Sequence, residues 1–357
     1  MLHFFSFFVN NFFRICHPPH PNPSPRERGG LIQKGSGNEV DYQIGRSELR
    51  NKIFDKFVLS DLLRTTRQMN DSQDKNEVLK IDVEEVLYSK NPALRKTVPG
   101  FIINYLKRIV HQEELNEFLK IWGHLTDAEF IEAGLKYFKI KYNVSGSENI
   151  PVKGRFIFAS NHPLGGLDGL VFIYELSKYF KDLKFPVNDI LMNIRNLSGI
   201  FLPINKHGVY GKEAARMIED AYSSNSQILY FPAGLCSRKK KGVIKDLKWH
   251  KSFISKAVQH KRDIIPAYFS GRNSNFFYNL SNIRNFIGIK ANIEMLYLAD
   301  ELFKQKDKEI NLVFGKAIPW QTFDHSKTHV EWAEWVKSKS YELESFITGK
   351  TQNQKNI

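Results

Sequence analysis

The chain has 357 residues, of which 42% are hydrophobic and 25% are charged, and its formal net charge is +14 at pH 7. This composition is typical of a folded protein with a sizeable core. Two cysteines, Cys16 and Cys236, are too few for a disulfide framework or a cysteine-based zinc site, and they favour a reducing compartment. The positive charge favours an acidic partner: nucleic acid, anionic lipid or a phosphorylated small molecule.

The first residues differ in composition from the rest of the chain. Phe4–Phe13 is apolar but interrupted by polar residues, and it is shorter than the roughly 20 residues that span a bilayer. A stretch rich in proline, glycine and charge follows it. We therefore predict that residues 1–68 are a disordered leader outside the fold and not part of the native protein, which would start at Met69. The alternative is a flexible arm with a weak interfacial anchor.

Residues 69–145 are predicted to form a helical region. Between Val98 and Ile109 the apolar residues recur at helical spacing, with basic residues on another face. Thr126 and Glu129 form the capping pattern Thr-x-x-Glu before a further amphipathic helix. We expect these helices to cover the core. The alternative is a basic helical hairpin that lies on a membrane surface.

Short apolar runs alternate with amphipathic helices in the remainder of the chain. The predicted strands are RFIFASN, GIFLPIN, SQILYFPAG, DIIPAYFSG and INLVFGKAIPW, and helices are predicted between them. This order predicts an α/β domain over 146–345, with a mostly parallel sheet flanked by helices, and a disordered tail over 346–357. In such sheets the chemistry gathers at the carboxyl ends of the strands, where the polar motifs of this sequence lie.

One of these motifs, SNHPLGGLDGL, places His162 directly after an apolar strand and Asp168 six positions later. Gly165 and Gly166 permit a tight turn between them. Such a turn would let Asp168 accept a hydrogen bond from one ring nitrogen of His162 and raise the basicity of the other. This arrangement is the base half of a triad, and a hydroxyl of the substrate would be the nucleophile.

Two other interpretations of the motif remain open. His162 could be a loop histidine that caps a helix beside a turn aspartate. A zinc site is disfavoured because no second histidine or cysteine lies nearby at ligand spacing. We therefore expect no metal.

The stretch NHPLGGLDG resembles the first motif of the glycerophospholipid O-acyltransferases, the superfamily of the lysophosphatidate acyltransferases. In most members four residues intervene between the histidine and the aspartate. Here five residues intervene, as in a branch described as hemolysin-like. Members of that branch resemble the enzymes that add the ester-linked acyl chain to lyso-aminolipids, such as lyso-ornithine or lyso-glycine lipids.

Three further stretches, in the family's order, extend the resemblance over about residues 90–320. GIFLPINKHG is similar to the second motif, in which a basic residue, Lys206 here, helps to hold the acceptor head group. YFPAGLCSR is similar to the third motif, Phe-Pro-Glu-Gly-x-x-Ser, and IIPAYFSG to the fourth. Ala233 replaces the glutamate that is taken to help bind the acceptor. The departure implies an acceptor other than an ordinary lysophosphatidate, or a weakened activity.

The resemblance implies a lipid O-acyltransferase with His162 as general base and Asp168 as the residue that orients it. The donor would be an acyl carrier protein or coenzyme A thioester, used as a co-substrate without a cofactor. A guanidinium can grip a carboxylate or phosphate with two parallel hydrogen bonds, which favours Arg238 among the basic residues. The expected substrate-binding residues are Asn161, Gly165, Gly166, Lys206, Pro232, Gly234, Ser237 and Arg238.

Several functions remain as alternatives to lyso-aminolipid acylation. They are the acylation of 1-acylglycerol 3-phosphate, hydrolysis of an acyl thioester with water at the same dyad, and lipid binding without catalysis. Nucleic-acid binding is not expected, because the basic residues are scattered and no recognition motif occurs. The expected location is cytoplasmic, peripheral on the anionic inner face of the membrane.

Overall fold

The computed structural model describes residues 80–90, 95, 98–187, 191–204, 211–289 and 292–347. The predicted leader 1–68, Met69, Lys206 and the tail beyond residue 347 lie outside the described residues. The predictions made for these parts of the chain stay predictions.

The centre of the fold is a seven-stranded sheet. Its strands are β1 Lys141–Ser145, β2 Phe156–Ser160, β3 Leu183–Val187, β4 Phe201–Pro203, β5 Gln227–Tyr230, β8 Asp263–Phe269 and β9 Glu309–Phe314. Their order in the sheet is β1-β9-β8-β2-β5-β3-β4. All neighbouring strands are parallel except β8 and β9, which are antiparallel. The predicted α/β fold with a mostly parallel sheet is therefore confirmed.

The continuous apolar sequence of β2 reflects its place inside the sheet. All five of its residues are buried, and it pairs with β5 on one side and β8 on the other. Successive side chains point to opposite faces, so Phe158 packs in one apolar cluster and Ile157 in another. β2 is therefore the central strand, and its carboxyl end lies in the middle of the row of strand ends.

Helices cover the sheet and precede it. Their bounds are α1 Val83–Lys90, α2 Gly100–Val110, α3 Gln112–Trp122, α4 Asp127–Tyr137, α5 Leu167–Ser177, α6 Gly211–Ser223, α7 Ser252–His260, α8 Asn275–Phe286, α9 Leu298–Phe303 and α10 His329–Glu342. The helices α1 to α4 form the predicted helical segment ahead of the first strand.

The structure divides the predicted helical segment into separate helices, and one predicted detail of it is wrong. His111 has a φ of 54° and separates α2 from α3. Thr126 does precede α4, as predicted, but its side chain makes no capping hydrogen bond.

Four strands were not predicted from the sequence. β1 and β3 extend the large sheet, and β6 Arg238–Lys240 and β7 Val243–Lys245 form a separate antiparallel hairpin. Lys241 and Gly242, both with positive φ, form the two-residue turn of this hairpin. Such a turn matches the twist of the two strands, and glycine adopts it without steric cost. The basic run Arg238–Lys241 is therefore a strand and turn.

Candidate active site

The loop from Asn161 to Gly166 joins the end of β2 to the start of α5. Asn161 fixes the first part of this loop. Its amide nitrogen donates to the carbonyl of Phe269 at 2.9 Å, and its amide oxygen accepts from the Phe269 N–H at 2.7 Å. Both bonds are buried and they tie the ends of β2 and β8 together. Asn161 thus holds the loop, and its amide is occupied within the protein.

His162 and Asp168 form the hydrogen bond that the sequence predicted. The Nδ1 atom of His162 lies 3.0 Å from Oδ2 of Asp168. The Asp168 side chain is fully buried, whereas the His162 side chain keeps 15% of its surface exposed. An ionised carboxylate only accepts, so Nδ1 donates and Nε2 carries the lone pair. Within the described part of the chain, Nε2 has no hydrogen-bond partner.

Asp168 is oriented by the backbone around it. Its Oδ2 atom accepts from the Leu164 N–H at 2.9 Å, and its Oδ1 atom accepts from the Gly169 N–H at 3.0 Å. The residue also lies in the first turn of α5, where the helix dipole favours a negative charge. With His162, three donors stabilise the carboxylate. Both carboxylate oxygens therefore have hydrogen-bond donors although the residue is buried.

The two glycines of the loop have different roles. Gly165 has a φ of 87°, and a Cβ there would lie 2.7 Å from Leu298, at the start of α9. Gly166 has an ordinary backbone conformation, with a φ of −98°, and open space where its side chain would be. The predicted glycine turn therefore depends on Gly165, which leaves the loop tightly packed against α9.

Asp246 is a second buried carboxylate behind the histidine, and sequence analysis missed it. Its Oδ1 atom accepts from the His162 N–H at 3.2 Å and from the Ser237 hydroxyl at 2.6 Å. The Ser237 N–H in turn donates to the His162 carbonyl at 2.7 Å. These three bonds close a ring that fixes the backbone of His162. Burial raises the pKa of Asp246, whereas bonds from Ser237 and the Trp249 indole counteract that shift.

The third predicted motif packs beside the histidine ring. Phe231 stacks on His162 with the ring centroids 4.1 Å apart, and Pro232 uses its carbonyl to accept from the His250 N–H. Ala233 is buried in the apolar cluster that contains Trp249, so this position offers the site no polar group. Gly234 has a φ of 68° and ends the turn.

Arg238 lies in a buried ion cluster. Its guanidinium donates to the Cys236 carbonyl at 2.9 Å and to Glu294 at 3.1 Å, and Glu294 also accepts two bonds from Arg284. Glu294 is fully buried and Arg238 nearly so. These bonds hold the guanidinium inside the protein. Arg238 therefore has a structural role that the sequence analysis did not predict.

Cys236 is buried. Burial raises the pKa of its thiol to about 11, so the thiol is neutral at physiological pH. It is therefore not placed to act as a nucleophile. Among the residues that the structure describes, no group of three or more histidine, cysteine, aspartate or glutamate side chains could hold a metal ion.

Known proteins identify the family. The sequence model of the acyltransferase family matches residues 85–349 of this chain. The chain belongs to this acyltransferase family. It is 49% identical over 264 residues to a lyso-glycine lipid O-acyltransferase of Bacteroides thetaiotaomicron, a match that covers 74% of this chain and 97% of that protein. A lyso-glycine lipid O-acyltransferase of Phocaeicola vulgatus is 46% identical over 269 residues, covering 75% of this chain and 96% of the relative.

A solved structure is also similar to this acyltransferase: the 1-acyl-sn-glycerophosphate acyltransferase PlsC from Thermotoga maritima. It is 18% identical, with a TM-score of 0.39, and the match covers 68% of this chain and 89% of that one. The family predicted from the sequence motifs is thus confirmed by the family match and the two relatives.

The site of this acyltransferase can supply a base without a protein nucleophile. The Nε2 atom of His162 can take a proton, and Asp168 stabilises the imidazolium that forms. Phe231 stacks on the imidazole, and the bonds to Asp246 and Ser237 hold the backbone of His162. None of the described helices is long and apolar enough to cross a membrane.

Proposed function

We propose that this acyltransferase moves a fatty acyl group from an acyl thioester to the hydroxyl of a lyso-aminolipid of the glycine type. The observation that carries the proposal is the identity of 49% and 46% to two proteins named lyso-glycine lipid O-acyltransferases, over nearly their full length. The His162–Asp168 hydrogen bond supports it from the chemical side, because hydroxyl attack on a thioester needs a base.

In the proposed mechanism, Nε2 of His162 accepts the proton of the acceptor hydroxyl while its oxygen attacks the thioester carbonyl. The N–H groups of Gly165 and Gly166 stabilise the oxyanion of the tetrahedral intermediate. When the intermediate collapses, the carbon–sulfur bond breaks and the imidazolium returns the proton to the thiolate. The products are a diacyl lipid and a free thiol, and His162 is again neutral.

We assign Asp246 and Ser237 a positioning role in this reaction. Their hydrogen bonds reach the backbone N–H and carbonyl of His162, not its ring. A shift of the loop would move Nε2 away from the acceptor oxygen, and small misplacements in an active site reduce the rate substantially. Ser237 therefore acts through His162 in this proposal, in place of the direct substrate contact expected from the motif.

The substrates on either side of the reaction follow from the same proposal. The acceptor is a lipid whose head group carries no glycerol phosphate, which agrees with the apolar surroundings of Ala233. The donor is an acyl carrier protein or coenzyme A thioester. The enzyme works in the cytoplasm at the inner face of the membrane, and its net charge of +14 favours an anionic surface. Lys206, Pro232 and Gly234 would help to bind the acceptor, as the resemblance of their motifs implies.

An acceptor panel tests the proposed function. The purified chain is incubated with acyl carrier protein or coenzyme A thioesters and with lyso-glycine lipid, lyso-ornithine lipid or lysophosphatidate, and mass spectrometry identifies the products. We expect diacylated glycine lipid as the main product. Phosphatidate as the main product would contradict the proposed acceptor. Free fatty acid as the only product would mean that the enzyme is a thioesterase. The absence of any product with every pair of donor and acceptor would contradict catalysis.

A further inference from the structure

The helix α8 carries an apolar stripe that faces solvent. Phe276, Leu280 and Ile283 follow one another at intervals of four and three residues, so they lie on one side of the helix, and Ile287 follows four residues later as the C-cap. Leu280 is half-buried, and the other three are exposed. Phe286 beside them is 91% exposed. The opposite side, including Phe277 and Tyr278, is buried against the protein, so α8 has two apolar sides.

The charge around this stripe is also unusual. From Ser270 to Ile293 the sequence contains no aspartate or glutamate, and the exposed polar residues of α8 are asparagines. The charged residue within α8, Arg284, is buried against Glu294. Contiguous exposed apolar surface without charge is uncommon on soluble proteins and marks an interaction site.

A basic hairpin lies directly beside α8. The amide of Asn282 donates to the carbonyl of Lys239 at 3.2 Å. The hairpin carries Lys240, Lys241 and Lys245 with exposed side chains, and Val243 next to its turn is 63% exposed. Exposed apolar and cationic side chains therefore occur together on two adjoining elements.

Buried contacts connect this surface to the active site. Arg238 of the hairpin and Arg284 of α8 both bind Glu294, so the two elements hold a fixed relation to each other. One residue before Arg238, the Ser237 N–H donates to the His162 carbonyl. The surface thus belongs to the same packed unit as the catalytic loop.

We propose that α8 and the β6–β7 hairpin form a docking surface for an anionic lipid membrane. The apolar stripe would enter the boundary between head groups and acyl chains, as the apolar side of an interfacial helix does. The lysines would lie at the level of the lipid phosphates, where each basic residue adds to the attraction. An acidic protein would match the lysines but not the solvent-facing stripe. This docking rests on the proposed function, because the acceptor of that reaction is a lipid.

Vesicle flotation without any acyl donor tests the docking surface directly. The vesicles contain phosphatidylcholine alone or mixed with phosphatidylglycerol. The apolar variant is Ile283→Asn with Phe286→Asn, and the charge variant is Lys240→Gln, Lys241→Gln and Lys245→Gln. Matched controls are Phe346→Asn, at a residue 60% exposed elsewhere, and Lys261→Gln with Lys316→Gln and Lys327→Gln, at exposed lysines outside the two elements. Circular dichroism confirms that each variant is folded.

We expect the wild type to bind mixed vesicles more strongly than neutral ones. The charge variant should lose roughly tenfold or more of its binding to mixed vesicles, and little to neutral ones. The apolar variant should lose binding to both, and the controls should bind like the wild type. Because no acyl donor is present, this result does not depend on whether the chain is active or on which acceptor it uses.

Three results would overturn the proposal. Both variants could bind vesicles like the wild type. The charge variant could raise only the KM for an acyl carrier protein donor, which would make the hairpin a protein-docking surface. The apolar variant could instead change the oligomeric state in size-exclusion chromatography while vesicle binding persists, which would make α8 a contact between copies of this chain.

Discussion

The Nδ1 atom of His162 lies 3.0 Å from Oδ2 of Asp168, across a loop whose two ends belong to β2 and α5. The strand places the histidine at the carboxyl end of the central strand of the sheet. The helix places the aspartate in its first turn, where the side chain is buried. The hydrogen bond then assigns the proton to Nδ1 and leaves Nε2 as a base. The local geometry of this loop is therefore the physical origin of the proposed chemistry.

Replacement of Asp168 by asparagine should remove this control of the imidazole. A neutral amide no longer stabilises the imidazolium, so we expect kcat to fall by roughly 10²–10⁴-fold. The matched control is Asp300→Asn, because Asp300 also binds a histidine, His111, at 3.1 Å outside the site. Steady-state kinetics of acyl transfer should show a small effect for Asp300→Asn. Equal losses in the two variants would contradict the assigned role.

The two loop glycines provide a second matched pair. Gly165→Ala should lower the free energy of unfolding by about 1–2 kcal/mol for the positive φ alone, with a further cost from the contact to Leu298. Gly166→Ala should change it little, because its φ is negative and the space is open. Urea unfolding and kcat measure both. A stable and active Gly165→Ala variant would mean that the turn is not required.

Ser237 tests the positioning ring around His162. Ser237→Ala removes a buried hydrogen bond to the Asp246 carboxylate, which should cost about 1.5–3 kcal/mol of stability and lower kcat several-fold with little change in KM. Ser226→Ala is the control, since Ser226 also donates to a carboxylate, Asp182, far from the loop. It should lose stability and keep kcat. A raised KM for the lipid in Ser237→Ala would instead support a direct substrate contact.

The buried ion cluster predicts an unequal response of its members. Glu294→Gln leaves Arg238 and Arg284 buried without a counter-ion, and should cost about 3–5 kcal/mol. Arg238→Met leaves Glu294 paired with Arg284, so its cost should be smaller. Chemical unfolding gives both values. The KM for the lipid should stay near wild type in Arg238→Met, and a large increase would mean that Arg238 binds substrate.

The sequence revealed the centre of the fold because β2 is a continuous apolar run that ends at a polar motif. β1 was missed because it is an edge strand with half-exposed and exposed residues, so it has no apolar run. The hairpin was missed because RKKKGVIK reads as a charged surface segment. Its first residue is held by Glu294, 56 positions later, and a local pattern does not contain that contact.

The same distinction applies to the site. His162 and Asp168 are six residues apart, so spacing and turn chemistry are enough to predict their hydrogen bond. Asp246 is 84 residues from His162, and its stretch DLKWH contains no recognisable motif. Arg238 was expected to bind substrate because a guanidinium can grip a carboxylate or phosphate. Its burial depends on α8, which tertiary packing brings to the hairpin.

The most direct test of the central claim is the rate of acyl transfer to lyso-glycine lipid by the wild type and by His162→Ala, with His111→Asn as a folded histidine control. We predict that the wild type and His111→Asn form diacylated glycine lipid at similar rates. His162→Ala should be slower by roughly 10²-fold or more, with an unchanged circular dichroism spectrum. A folded His162→Ala variant that acylates the lipid at the wild-type rate would contradict His162 as the base.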